Sequence, residues 1–200
     1  MLSSFHVRIQ KKEKVTHWLA KFGFSNRELL SELLNVGVKG QHHFFKSLIS
    51  EGLVAEKFVP GTRKMILTLT TLGQEYVLLN NPEMIIKNVR SFSLYTLVHS
   101  YSIQKFLLSQ KGSDNFFTEN ELADKKFHRR PDMIIVNEHG SKIAVEVELT
   151  RKSSDRIYHI YRSLSRDWSD GKFDFVVFLF SSPAVLQQYE ELYKKNIWPE

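Results

Sequence analysis

The sequence predicts an α+β protein of two blocks, and three observations carry that prediction. Residues 8–80 space their apolar side chains at helical intervals around one basic hairpin. Residues 132–149 hold two short Ile/Val-rich runs separated by Asn137-Glu138-His139-Gly140, which reads as a turn. Residues 173–180, Phe-Asp-Phe-Val-Val-Phe-Leu-Phe, are almost continuously apolar and lie between two helical patterns. The blocks meet near Leu79-Asn80-Asn81-Pro82, so the expected domains are 1–82 and 83–200.

Composition bounds the classes. At 200 residues, 42% hydrophobic, the chain can build packed cores. It contains no cysteine, which excludes a disulfide framework and thiolate metal sites and fits a reducing, cytoplasmic location. No apolar run approaches the ~18 residues of a membrane span, and the first ten residues, followed by Lys11-Lys12, do not read as a signal peptide. The net charge of +6 suits a polyanionic partner. The sequence stops at Ile197-Trp198-Pro199-Glu200 directly after a helical pattern, which leaves a longer native protein open.

In the first block, residues 11–21 predict a helix with Val15, Trp18 and Leu19 on one side. Ser25 with Glu28 three residues on forms a capping box for a second helix bearing Leu29, Leu30, Leu33 and Leu34 and ending at Gly37. A third helix over 40–51 turns Phe44, Phe45, Leu48 and Ile49 inward and stops at Gly52. Residues 53–59 and 64–69 predict a hairpin across Pro60-Gly61-Thr62-Arg63, and a last helix starts at Thr70-Thr71.

This order, with Ser-Glu-Gly-Leu-Val entering a basic hairpin and Thr-Leu-Thr-Thr-Leu-Gly leaving it, resembles a winged helix-turn-helix over about seventy residues. The resemblance implies a third helix in the major groove of double-stranded DNA and a wing on the backbone or minor groove. Carried over, Lys39, Gln41, His42, His43 and Lys46 face DNA, with Arg63 and Lys64 at the wing. Winged helices also serve as dimerisation or peptide modules, which stays open here. His42 and His43 are adjacent and point apart on a helix, against a shared metal.

The second block predicts a helix over residues 84–110, an irregular stretch over 111–130 with a strand at Phe116-Phe117, and then the acidic hairpin. A three-residue loop over 138–140 puts glycine last, where a left-handed backbone is wanted. That register pairs Asn137 with Ser141, Met133 with Val145 and Asp132 with Glu146. Alternation then sets Asp132, Glu146 and Glu148 on one face, and Met133, Ile135, Ile143, Val145, Val147 and Leu149 on a core face. A slip by one residue would move Asp132 to the apolar side.

Acids on the wet face of a strand also pair with Arg or Lys for stability alone, and Arg129, Arg130, Lys142 and Arg151 are at hand. Three crowded carboxylates repel one another unless a cation compensates, and a hard divalent cation takes such oxygen donors. A helix from Ser153-Ser154-Asp155 follows, with Ile157, Ile160, Tyr161 and Leu164 as an apolar stripe that puts Tyr161 in the core. The run 173–180 reads as a strand buried on both faces at a sheet centre, and Pro183 opens a final amphipathic helix.

The order helix, three strands, helix, strand, helix resembles the PD-(D/E)xK nuclease superfamily, a restriction-endonuclease-like domain with a mixed central sheet. Pro131-Asp132 matches the PD element and Glu146-Val147-Glu148 the (D/E)xK element, with Glu148 where lysine is usual. Joined to the winged helix, and with Leu-Val-His-Ser at 97–100, His-Arg-Arg-Pro-Asp at 128–132 and Ala-Val-Glu-Val-Glu-Leu-Thr at 144–150, the chain resembles the replication-relaxation family that includes MobC-type relaxases. The resemblance implies metal-dependent nicking of one strand at a plasmid transfer origin, with other relaxosome proteins as partners. The family also includes members treated only as DNA-binding replication proteins, which leaves a non-enzymatic replication or transcription regulator as the alternative.

In that scheme Asp132 and Glu146 hold Mg2+ or Mn2+ against the scissile phosphate, and Glu148 binds a second ion or orients the nucleophile. Glu121, or Glu119, is the candidate upstream ligand. Lys152 would neutralise developing charge in place of the missing lysine, His128 would contact phosphate or a metal ligand, and Arg130 and Arg151 would lie along DNA.

Overall fold

The computed structural model describes residues 4–89, 92–110 and 115–195; the terminal residues 197–200 singled out above lie outside them. The chain is mixed α and β. Two compact units divide it, Met1–Leu108 and Ser109–Glu200.

The first unit runs α1 (Ser4–Phe22), α2 (Arg27–Leu33), a 3-10 turn (Val38–Gln41), α3 (His42–Ser50), β1 (Val54–Phe58), β2 (Met65–Leu69), α4 (Thr71–Asn80) and α5 (Leu94–Ser109). β1 and β2 pair antiparallel, Val54 opposite Leu69 and Phe58 opposite Met65, as the turn at 60–63 predicts. Ser25 adds a single antiparallel bridge to Leu67, through N–H···O bonds of 3.0 and 2.8 Å. That bridge moves the helix cap by one residue. Asn26, not Ser25, caps α2, its side chain accepting from Leu29 N at 2.8 Å. The predicted third helix is split, because the 3-10 turn precedes α3.

Helix α5 begins ten residues later than its apolar pattern predicts. Ser93 stops it there: its hydroxyl accepts the Thr96 N–H, satisfying a donor that a longer helix would have paired with backbone. Upstream, Lys87 N–H instead bonds Ala20 O of α1. α5 packs within the first unit, so the units divide near its end rather than at 82/83. Gln104 explains the docking. Fully buried, it accepts from Trp18 Nε1 (2.8 Å) and Ser25 Oγ (2.6 Å) and donates to Phe24 O and Ser100 Oγ (3.0 Å each). An amide buried with all four positions used is bound to its place.

The second unit runs β3 (Phe116–Thr118), β4 (Met133–Val136), β5 (Lys142–Glu148), α6 (Ser154–Ser169), β6 (Phe175–Phe180) and α7 (Pro183–Lys195). Its sheet is mixed, in the order β3-β4-β5-β6, with β3-β4-β5 antiparallel and β6 parallel to β5 after the α6 crossover. β6 is therefore an edge strand rather than the sheet centre, with Phe175 59% exposed and the rest half-buried. Its apolar run packs one face on the helices instead of both. Ile157, Ile160 and Leu164 of α6 and Val185 and Tyr189 of α7 close over Ala144, Val176, Phe178 and Phe180. No helix among the described residues is long and apolar enough to cross a membrane.

Candidate functional site

The acidic hairpin takes the predicted register. Met133 lies opposite Val145, Asp132 N–H donates to Val145 O at 3.1 Å, and Asn137 N–H donates to Ser141 O at 3.0 Å. Gly140 sits at φ +81, which a Cβ would disfavour, and the Asn137 side chain accepts from His139 and Ser141 N–H. Asp132, Glu146 and Glu148 thus lie on one side of the sheet.

That side is not wet. α6 and α7 cover it, and Glu146 and Glu148 are each 1% exposed, while Asp132 is half-buried. Two cations follow the acids inside. Arg129 donates to Glu146 Oε2 from Nε (3.0 Å) and Nη2 (2.7 Å), and its Nη2 stands 3.7 Å from Glu148 Oε1. Lys152, four residues further along the chain, ion-pairs with Glu148 Oε2. Asp132 Oδ2 accepts the Val147 N–H at 2.7 Å, locking that carboxylate to β5.

Two buried carboxylate oxygens, Glu146 Oε1 and Glu148 Oε1, accept no hydrogen bond. Burial raises the Glu146 carboxyl to about 7; the charges of Asp132 and Glu148 push the same way, and Arg129 opposes them. Tyr189 of α7 is buried beside the acids, and burial and then the Glu148 charge raise its phenol. Oxygen donors, two of them buried and unsatisfied, are the set a hard divalent cation takes. The three carboxylates do not themselves close into a tight triad: among the described residues the one group of three side chains with ligand atoms mutually within 4.8 Å is His128, Asp167 and Asp170.

That second group is an anchor. Asp167, 0% exposed, accepts the backbone N–H groups of His128 and Arg129 at 2.9 Å each, and also Lys172 Nζ at 2.6 Å. It ties the segment before Asp132 to α6 and so delivers Arg129 to Glu146. The His128 ring faces Asp170 (3.7 Å).

Glu121 is engaged locally, its Oε2 accepting Thr118 N–H and Oγ1–H at 2.8 and 2.9 Å. Arg130 and Arg151 are exposed. Tyr161 is in the core as its stripe predicts, its hydroxyl donating to Tyr189 O at 3.0 Å.

In the first unit, Lys39, His42, His43, Lys46, Arg63 and Lys64 are exposed and Gln41 is half-buried. His42 Nδ1 lies 3.1 Å from Arg27 Nη1, whose guanidinium also pairs with Glu56.

From the sequence Arg129 is one of four cations at hand for these acids, and the structure selects it for Glu146; Asp167 is not singled out there at all. Asp167 did leave a signal: it continues the buried positions 157, 160 and 164 of α6, so it is a carboxylate on an apolar stripe. No family model, curated protein or solved structure matches the chain.

Proposed function

We propose that this protein binds double-stranded DNA and cuts one phosphodiester strand with a divalent cation, in the manner of a relaxase acting at a plasmid transfer origin. The observation that carries the reading is the buried acid pair: Glu146 and Glu148 each keep one carboxylate oxygen unsatisfied beside Asp132. An unsatisfied buried acceptor costs about 1–3 kcal/mol, more when charged, so retaining two calls for a ligand. Asp132, Glu146 and Glu148 would hold Mg2+ or Mn2+, which supplies Lewis-acid polarisation of the phosphoryl oxygen and a more acidic bound water. Lys152 ion-pairs with Glu148 through Oε2, and Arg129 pairs with Glu146 through Oε2 while leaving Oε1 open. The exposed Lys39, Lys46, Arg63 and Lys64 support the DNA-binding half, since solvated cations contribute most against phosphate.

The same ion pairs favour a second reading, a DNA-binding replication or transcription regulator that does not cut. Two of the three carboxylates already have a cation, which lowers the need for a metal.

One experiment separates the two. Supercoiled origin plasmid is incubated with EDTA, Mg2+ or Mn2+ and with wild type, Glu146→Gln or Asp132→Asn, while Mn2+ binding is followed by calorimetry. The nuclease reading expects open-circle product and Mn2+ heat from wild type alone. DNA binding without product or heat in any metal selects the regulator.

A further inference from the structure

The sheet face that carries the acids also carries a basic cleft at its other end. Phe117 lies opposite Ile134, Ile134 opposite Ala144 and Val136 opposite Lys142, so alternation puts Phe117, Ile134, Lys142 and Glu146 on one side. Over this end lies a cleft of about 230 Å3 with Lys125, Lys126, Lys142 and Lys172 around an apolar floor. Two of the ammonium groups are held over aromatic rings, Lys125 Nζ 4.4 Å from the Phe117 centroid and Lys172 Nζ 5.5 Å from that of Phe127.

The charges do not balance locally. Lys172 is compensated by Asp167 and Asp170. Among the described residues Lys125, Lys126 and Lys142 make no ion pair, and all three are exposed. Asp174 stands beside Lys142, its Oδ2 accepting the Lys142 backbone N–H at 2.7 Å; against it, three ammoniums without an ion pair crowd one small cleft, and an anion with several oxygens relieves their repulsion. Each ammonium brings three donors, and the Phe117 ring holds that of Lys125 without using them. Lys142 and Glu146, four residues apart on β5, are separated by about 13 Å at ~3.3 Å per residue. Ala144, between them, is buried under α6 and α7, so the cleft and the acids are separate openings of one sheet face.

We infer that this lysine cleft is a phosphate subsite for a nucleic-acid backbone, at the end of the sheet away from the acid cluster. The inference rests on the proposed nucleic-acid function and adds to it a binding site in the second unit, separate from the wing and third helix. Its chemistry is non-specific, because lysine holds phosphate as a point charge without reading bases.

The test is fluorescence anisotropy of the full chain on a labelled duplex and on the matching single strand, across a salt series. Wild type is compared with Lys125→Gln/Lys126→Gln/Lys142→Gln and, as a separate arm, with Lys39→Gln/Lys46→Gln/Arg63→Gln. Lys172 is left intact because it braces Asp167. The cleft variant is expected to keep the wild-type melting temperature and to lose about two to three from the slope of log K against log salt, at ~0.9 per phosphate contact on duplex or ~0.7 on a single strand. An unchanged slope and affinity on both probes overturns the inference, as does a wild type that binds neither probe. An unchanged slope together with metal-dependent cleavage rejects the cleft alone. A reduced slope with no cleavage in any metal supports the cleft and rejects the nuclease reading.

Discussion

Arg129 meets Glu146 side-on, with Nε and Nη2 both donating to Oε2 and Oε1 left without a partner. The guanidinium is one-third exposed and the carboxylate buried, so the pair is a plug at the wall of the unit with its charge turned inward. Its geometry depends on Asp167, which holds the Arg129 backbone from the far end of α6.

Removing the arginine strands a charge. Arg129→Gln leaves Glu146 buried with no cation in direct contact, and is expected to cost about 2–3 kcal/mol, below the range for a fully buried pair because water reaches Arg129. Arg129→Gln/Glu146→Gln should recover most of the loss. Urea denaturation of the two variants checks this; equal destabilisation of single and double variants would show that the pair contributes packing, not charge compensation.

The metal-free protein should lose stability as pH rises. Glu146 titrates near 4.5 when unfolded and about 7 when folded, so the folded state binds the extra proton between those values. Its contribution is complete below ~4.5 and is lost as pH climbs through 7, on the order of 3 kcal/mol at ~1.4 kcal/mol per pH unit. Unfolding midpoints at pH 5 and pH 8, in EDTA, should differ more in wild type than in Glu146→Gln. Matching slopes would place the titration elsewhere.

Asp167→Asn should cost about 2 kcal/mol, because an amide cannot accept the His128 and Arg129 N–H groups and Lys172 together. Amide hydrogen exchange at His128 and Arg129 should accelerate in the variant. Protection equal to wild type would mean that the segment is held by other contacts.

Gly73 offers a sharper case. An alanine in a helix normally gains about 1 kcal/mol over glycine. Here a Cβ would stand 2.0 Å from Leu53 O, where α4 crosses the start of β1, so Gly73→Ala is expected to destabilise by about 2 kcal/mol. A thermal melt decides the sign. The close approach also accounts for the glycine of the Thr-Leu-Thr-Thr-Leu-Gly segment, while Thr70 caps α4 by accepting the Gly73 N–H at 3.0 Å.

The register of the acidic hairpin and the position of the first unit's hairpin were legible in the sequence because each follows from local chemistry. Alternation of Ile and Val sets the faces, Asn137 and Gly140 set the turn, and Pro60-Gly61 turns the chain between β1 and β2. The three acids could be assigned to one side on that basis alone.

What lay beyond local chemistry was decided by contacts between distant residues. A strand pattern does not reveal which side a helix will cover, so the acid face looked wet until α6 and α7 closed over it. The continuous apolar run of β6 suits an edge backed by helices as well as a centre, since hydrophobicity reports burial but not the number of neighbouring strands. Capping at Asn26 rather than Ser25 followed from a bridge to Leu67, and the unit boundary from an amide 79 residues away from its serine partner. The sequence by itself determined which carboxylates share a face, because periodicity is a property of one strand. Only the tertiary structure decided that Arg129 and Asp167 join them, because a buried charge selects its partner through space, across 17 and 38 residues of chain, where no periodicity reaches.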